Sequence, residues 1–257
     1  MTPDVRILLL GGTTEASQIV SVLEPDPRIT LTLSLAGRTV APRMSSARVR
    51  IGGFGGVAGL VAYLQGEQIA LLVDATHPFA AVMPFHAAQA CRLADVPLLK
   101  VYRPPWFAVA GDRWIRVPDL RSAAETLQRI GARRVLLTTG RTELDPFRGV
   151  PRMTFVVRSI EAADLRDFVR ATAVLDRGPF DLASERALLV EHAIDVLVTK
   201  NSGGSAAAPK LQAARELGIS VVMVERPPIP AVTRLERVDQ AVAWINRFVS
   251  PTDTSVA

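Results

Sequence analysis

The sequence predicts an α/β protein in which one parallel-sheet unit occurs twice in tandem. Three observations carry this: short apolar strands alternate with amphipathic helices, a glycine turn follows the first strand, and both features return 120 to 128 positions later. Val5-Arg-Ile-Leu-Leu-Leu10 is a β-type run ending in Gly11-Gly12, and residues 13–23 then carry apolar side chains at helical spacing. Ile29 to Leu35 reads as a second strand, Ile69 to Val73 as a buried one, Phe79 to Ala94 as a helix and Pro97 to Val101 as a further strand. Strands alternating with helices imply a parallel sheet covered on both faces.

The second half repeats the pattern. Val135-Leu-Leu-Thr-Thr-Gly140-Arg-Thr-Glu-Leu144 aligns with Leu8-Leu-Leu-Gly-Gly12-Thr-Thr-Glu-Ala16, and Ile194 to Val198 with Ile69 to Val73. The segment from Arg215 to Pro228 aligns with that from Arg92 to Pro105, and Arg237-Val-Asp239 with Arg116-Val-Pro-Asp119. Two copies of a domain-sized unit point to duplication rather than to a solenoid of short repeats. The alignment places a boundary near Gly131, giving Rossmann-like domains at 1–131 and 132–257 with a ligand cleft expected between them. Each Pro-Pro turn precedes the last strand and helix of its copy, about 106–131 and 229–250, and those elements pair either with their own sheet or with the other.

Composition narrows the function classes. The chain has 257 residues, 49% of them apolar, but charged residues interrupt every hydrophobic stretch short of a membrane span. The N-terminus lacks the features of an export signal, so the expected location is the cytoplasm. The net charge of +5 comes mostly from arginine, the lysines being Lys100, Lys200 and Lys210. With fourteen scattered aromatics there is no basic-aromatic stripe, and nucleic acid is not an expected partner. Cys91 reads as packing, and three scattered histidines with one cysteine make no expected metal site.

In parallel α/β sheets ligands collect at the carboxyl ends of strands. Gly11, Gly12, Thr13 and Thr14, followed by Glu15, open the first helix, where free N–H groups and the helix dipole favour a pyrophosphate. The G-x-G-x-x-G spacing is incomplete. At the end of the second strand Ser34, Gly37, Arg38 and Thr39 stand where NAD-specific folds carry an acid, a pattern that accommodates the 2′-phosphate of NADPH. Gly53, Phe54 and Gly55, in a glycine-rich segment, offer close backbone approach or form a connector. Asp74, Ala75, Thr76, His77 and Pro78 end a buried strand and mark a ligand turn, with His77 capping it. His86 and His192 are read as helical packing or surface residues. The matching loops of the second half, Gly140-Arg141-Thr142 and Lys200-Asn201-Ser202-Gly203-Gly204, carry cations and hydroxyls suited to substrate carboxylates. Arg158, Lys210 and Arg103 are weaker members of that set.

Four stretches together resemble the precorrin-6A reductases of cobalamin biosynthesis: Leu10-Gly-Gly-Thr-Thr-Glu-Ala16, Asp74-Ala-Thr-His-Pro-Phe-Ala80, Thr138-Thr-Gly-Arg141 and Thr199-Lys-Asn-Ser-Gly-Gly204. The resemblance spans nearly the whole chain and implies reduction of one double bond of the precorrin-6A macrocycle by NADPH to give precorrin-6B. The implied partner is then a tetrapyrrole bearing many carboxylates, with a monomer expected. Solvent, Thr76 and His77 stand as sources of the proton. The alternatives are a cobalt-precorrin-6A reductase, a cofactor-free tetrapyrrole synthase or lyase, and a two-lobed small-molecule-binding protein.

Overall fold

A computed structural model describes residues 4–37 and 48–250, which form two compact units. The first unit joins residues 1–103 to 227–257, and the second is the continuous stretch 104–226. The chain therefore changes unit at Arg103-Pro104 and at Arg226-Pro227 rather than at Gly131.

The first unit contains β1 (Val5–Leu10), α1 (Thr14–Leu23), β2 (Ile29–Leu35), β3 (Arg48–Ile51), α2 (Gly56–Gly66), β4 (Leu71–Asp74), α3 (Met83–Ala94) and β5 (Leu98–Val101). The second contains β6 (Trp114–Val117), α4 (Leu120–Arg129), β7 (Arg134–Leu137), β8 (Thr154–Ser159), β9 (Ala171–Leu175), α5 (Leu182–Glu191), β10 (Val196–Lys200), α6 (Pro209–Glu216) and β11 (Ser220–Val224). The last strand and helix, β12 (Arg234–Leu235) and α7 (Val238–Val249), return to the first unit.

The first sheet runs β3-β2-β1-β4-β5-β12 and the second β9-β8-β7-β10-β11-β6, with every pair parallel. This is the doubly wound order, and the direction of winding reverses between β1 and β4 and between β7 and β10. By sequence β6 and α4 end the first copy and β12 and α7 the second. In the sheets β6 lies beside β11 and β12 beside β5, so each terminal strand completes the sheet of the other copy.

Alternation along β1 explains its two-sided burial. Ile7 and Leu9 pack with Ile19, Leu23, Leu99 and Ile245 beneath α1 and α7. Leu8 and Leu10 face the other way, onto Leu60, Leu64, Ala87 and Ala90 of α2 and α3. A strand buried on both faces reads as an unbroken apolar run, as Ile7 to Leu10 does.

Two elements depart from the sequence reading. The helix expected from Phe79 begins only at Met83, while Ala80 N–H closes a turn onto the His77 carbonyl. Pro84 explains the shift: its ring is tolerated in a first helical turn but would clash with the preceding turn of a helix begun at Phe79. After β7 the chain enters a 3-10 turn, Asp145–Phe147, where α1 follows β1. Gly140 thus has no helix N-terminus behind it.

Candidate functional site

In the first unit the strand-end loops are tied to one another by hydrogen bonds. Thr13 caps α1, its Oγ1 accepting from Ala16 N–H at 3.2 Å and donating to the Ala75 carbonyl at 2.8 Å. Gly11 packs so closely that a Cβ there would lie 2.5 Å from Leu33 Cδ1, so the absent side chain lets α1 approach β2. Gly12 differs: its φ of +101° requires glycine, and a Cβ there would meet nothing within 4 Å. Thr14 and Glu15 follow in the first turn of the helix.

Asp74, 1% exposed at the end of β4, organises the next loop. Its Oδ1 accepts from the Thr76 N–H at 2.9 Å and from Thr76 Oγ1 at 2.7 Å, and its Oδ2 from Lys100 Nζ at 2.8 Å. Lys100, 3% exposed, sits opposite Asp74 on the neighbouring strand β5. His77 is exposed, and its Nδ1 accepts from Phe79 N–H at 3.2 Å, which caps the turn around Pro78. With Nδ1 accepting, the proton of the neutral ring resides on Nε2.

Ser34 is buried at the end of β2, and Gly37 follows with φ +72°. Arg38 and Thr39 lie outside the described residues. The glycine-rich segment is a defined turn between β3 and α2. Arg50 donates to the carbonyls of Gly52 and Gly53 at 2.6 Å each, and its guanidinium carbon stacks 3.8 Å from the Phe54 ring centroid. Gly55 caps α2 in the left-handed region at φ +78°.

The corresponding loops of the second unit are cationic but largely matched by acids. Arg141 pairs with Glu161 at 2.9 Å, Lys200 with Glu143, and buried Arg158 with Glu185 at 2.9 Å. Thr142 is exposed beside them, and Gly140 takes φ +97° with open space at its Cβ position. Lys210 is the exception. It is 5% exposed, and its Nζ meets Thr138 Oγ1 at 3.3 Å and the Trp106 ring at 5.5 Å rather than a carboxylate. Burial, reinforced by Arg158 and Lys200 against the opposing pull of Glu185, brings its ammonium down to about 7. The buried hydroxyls of Thr139 and Thr199 find no partner among the described residues.

Asn201 and Gly203 have structural duties. The Asn201 amide accepts from Trp106 N–H at 2.8 Å and donates to the Trp106 carbonyl at 3.2 Å, while its own carbonyl accepts from Arg226 Nε at 2.6 Å. A Cβ on Gly203 would fall 2.0 Å from the Pro104 carbonyl oxygen. The Gly204 carbonyl accepts from Trp106 Nε1 at 3.0 Å, and Ser202 N–H donates to the Lys200 carbonyl at 2.7 Å.

Sequence reasoning singled out Asp74 but not its partner Lys100, for which the signal was a lysine inside the apolar strand Leu98-Leu-Lys-Val101. It grouped Arg103 with the substrate cations, whereas the guanidinium engages Glu15 of the first unit. It also missed the acids Glu143, Glu161 and Glu185 that face the second unit's cations. Among the described residues no three metal-binding side chains converge, and no helix is long and apolar enough to cross a membrane.

The fold and its loops define a class: a doubly wound α/β protein with a glycine turn at the switch point of its first sheet and a cationic loop set in its second unit. The chain belongs to the precorrin-6x reductase CbiJ/CobK family, whose model matches residues 6–246. It is 44% identical over 241 residues to a precorrin-6A reductase of Rhodococcus erythropolis, covering 93% of this chain and 97% of that one. Identity is 45% over 242 residues to the Mycobacterium tuberculosis precorrin-6A reductase, with the same coverage. A cobalt-precorrin-6A reductase of Methanothermobacter thermautotrophicus is 31% identical over 238 residues, covering 88% of this chain and 78% of its own. The solved structure of a CobK precorrin-6A reductase matches with a TM-score of 0.87 at 39% identity, over 98% of this chain and 100% of that one.

Proposed function

We propose that the chain reduces precorrin-6A to precorrin-6B with NADPH, the first unit holding the dinucleotide and the second the carboxylates of the macrocycle. The observation that carries this reading is the family membership, supported by near-full-length identity of 44–45% to precorrin-6A reductases. The lower 31% identity to a cobalt-precorrin-6A reductase favours the metal-free substrate.

The first unit's loops fit a dinucleotide on their own geometry. Open space beside Gly12, at the start of a ten-residue helix, suits a phosphate facing first-turn N–H groups. Gly11, Gly12, Thr13 and Thr14 would line the pyrophosphate, while Glu15, in the same first turn of α1, is held by Arg103. Ser34, Gly37, Arg38 and Thr39, with Gly53, Phe54 and Gly55, would line the adenosine end. Asp74, Ala75, Thr76, His77 and Pro78 would shape the nicotinamide end. When bound, NADPH supplies the hydride equivalent.

The protein's own residues orient the reactants and manage one proton. Thr76 Oγ1 donates its proton to Asp74, which fixes the turn and leaves Thr76 an acceptor toward anything else. His77 keeps a proton at Nε2 and is exposed, so it is the better placed of the two to supply one. In the second unit Lys210 has no carboxylate in ion-pair contact among the described residues, while Arg141, Lys200 and Arg158 each have one. An incoming acid arm would complete that charge balance, with Gly140, Thr142, Asn201, Ser202, Gly203 and Gly204 forming the surrounding loops.

Anaerobic incubation with precorrin-6A and NADPH should oxidise the nucleotide and add two hydrogens to the pigment by mass. Cobalt-precorrin-6A should react more slowly, and faster turnover of it would reverse the substrate assignment. Arg38→Ala should raise the Kd for NADPH far more than that for NADH; equal effects would remove the 2′-phosphate role.

A further inference from the structure

Glu15 places a carboxylate where a dinucleotide phosphate is expected. It occupies the first turn of α1, immediately after the glycine turn, with its side chain 22% exposed. Burial pushes the carboxyl up, and the Arg103 guanidinium, the residue's own N–H and the Thr13 hydroxyl together outweigh burial and hold it below the ordinary carboxylate range. The group is therefore ionised near neutrality. A resident anion in the first turn stabilises an empty helix but repels a second anion at the same dipole end.

Arg103 answers that charge. Its Nε donates to Glu15 Oε1 at 2.6 Å and a terminal nitrogen donates to Oε2, a two-pronged pairing with both side chains at most 22% exposed. The two residues come from different parts of the sheet. Glu15 follows β1, Arg103 follows β5, and β4 lies between those strands, so the bridge passes across the carboxyl end of β4. It thus lies over the switch point between β1 and β4, where doubly wound sheets bind their ligands. A planar guanidinium suits this duty better than an ammonium, because its fork matches both carboxylate oxygens.

We propose that Arg103 is a positioning residue for the dinucleotide: by neutralising Glu15 it allows a pyrophosphate to settle at the start of α1. This rests on the NADPH reading given above. It assigns Arg103 to the cofactor side rather than to the carboxylates of the pigment.

The test is a fluorescence titration of NADPH against the full-length wild type, Arg103→Met, Glu15→Gln and the Glu15→Gln/Arg103→Met double variant, with folding checked by circular dichroism. Arg103→Met exposes an unpaired carboxylate and should raise the Kd about tenfold or more, a defect that shrinks as salt is added. Glu15→Gln should bind no more weakly than wild type. The double variant should return to within about threefold of wild type, because its missing guanidinium no longer has a charge to cancel. If the double variant binds as weakly as Arg103→Met, the guanidinium acts on the ligand or on loop shape, and the inference is overturned. Wild-type affinity in Arg103→Met overturns it as well. Should Arg103→Met fail to fold, Arg103→Gln replaces it, alone and combined with Glu15→Gln, and the same outcomes decide. Failure of the wild type to bind NADPH removes the cofactor reading itself, an outcome distinct from wild-type binding that ignores Arg103.

Discussion

A lysine in the first turn of a helix stands at the positive end of the dipole, and burial adds a second penalty. Lys210 bears both, two residues into α6 and 5% exposed. Its pKa near 7 against an ordinary 10.5 has a defined consequence for stability. Below pH 7 the ammonium is charged in folded and unfolded chains alike and the penalty is present in full. Between about 7 and 10.5 the unfolded chain binds more protons than the folded one, so stability rises with pH through that window. Urea unfolding of wild type and Lys210→Met should show the wild type gaining on the variant from pH 7 to pH 10; a constant difference would place the lysine in water. Gly203 gives a second residue-scale prediction. With the Pro104 carbonyl oxygen 2.0 Å from any Cβ, and φ at +68°, Gly203→Ala should cost on the order of 2–4 kcal/mol in the same assay. The sequence signalled these residues only by type. Lys210 stood out as one of three lysines, whereas the Gly203 requirement comes from a carbonyl ninety-nine positions away, which no local pattern reveals.

At the level of elements, strands were more legible than helix starts. Ile29–Leu35 and Val5–Leu10 agree with the expected spans because strands buried on both faces are bounded by turn residues and filled with apolar ones. The start of α3 was misplaced because apolar spacing alone ignores the steric rule at Pro84. The turn after β7 was read by analogy with β1, and repetition of strand, glycine, threonine and glutamate did not imply repetition of the helix. Asp145–Phe147 stands there instead, with Phe147 wholly buried. An anion near Gly140 would thus lack the dipole available at Gly12 and would depend on side-chain cations. The energetic weight of the returning helix is testable at Ile245. It is fully buried on α7 with residues of β1, β2, β4 and β5, and Ile245→Ala should cost about 2–5 kcal/mol. Chemical denaturation should show the loss in the first unit's transition.

For the whole molecule, duplication was visible in sequence while the assignment of its terminal elements was not, because short edge strands of four and two residues carry no local signal of which sheet they join. Strand order resolves it: β12 hydrogen-bonds to β5 and β6 to β11. The consequence is an asymmetry in how the units depend on the chain. Residues 104–226 contain all six strands of the second sheet in one continuous stretch. The first unit is discontinuous, and cutting after residue 226 removes β12 and α7, whose Ala241, Ile245 and Val249 fill one face of its core. A fragment of residues 104–226 should therefore fold alone, with a cooperative thermal transition. Residues 1–103 should lack such a transition and regain it when residues 227–257 are restored through a short glycine-serine linker, because the added helix returns Ala241, Ile245 and Val249 to the core that α1 and the strands share. The equal-halves cut makes the opposite choice: residues 1–131 keep β6 and α4, which belong to the other sheet, and lack α7. Cooperative melting of that fragment to the level of the 1–103 plus 227–257 chain would show that either terminal element serves either sheet, and the exchange would then carry no structural specificity.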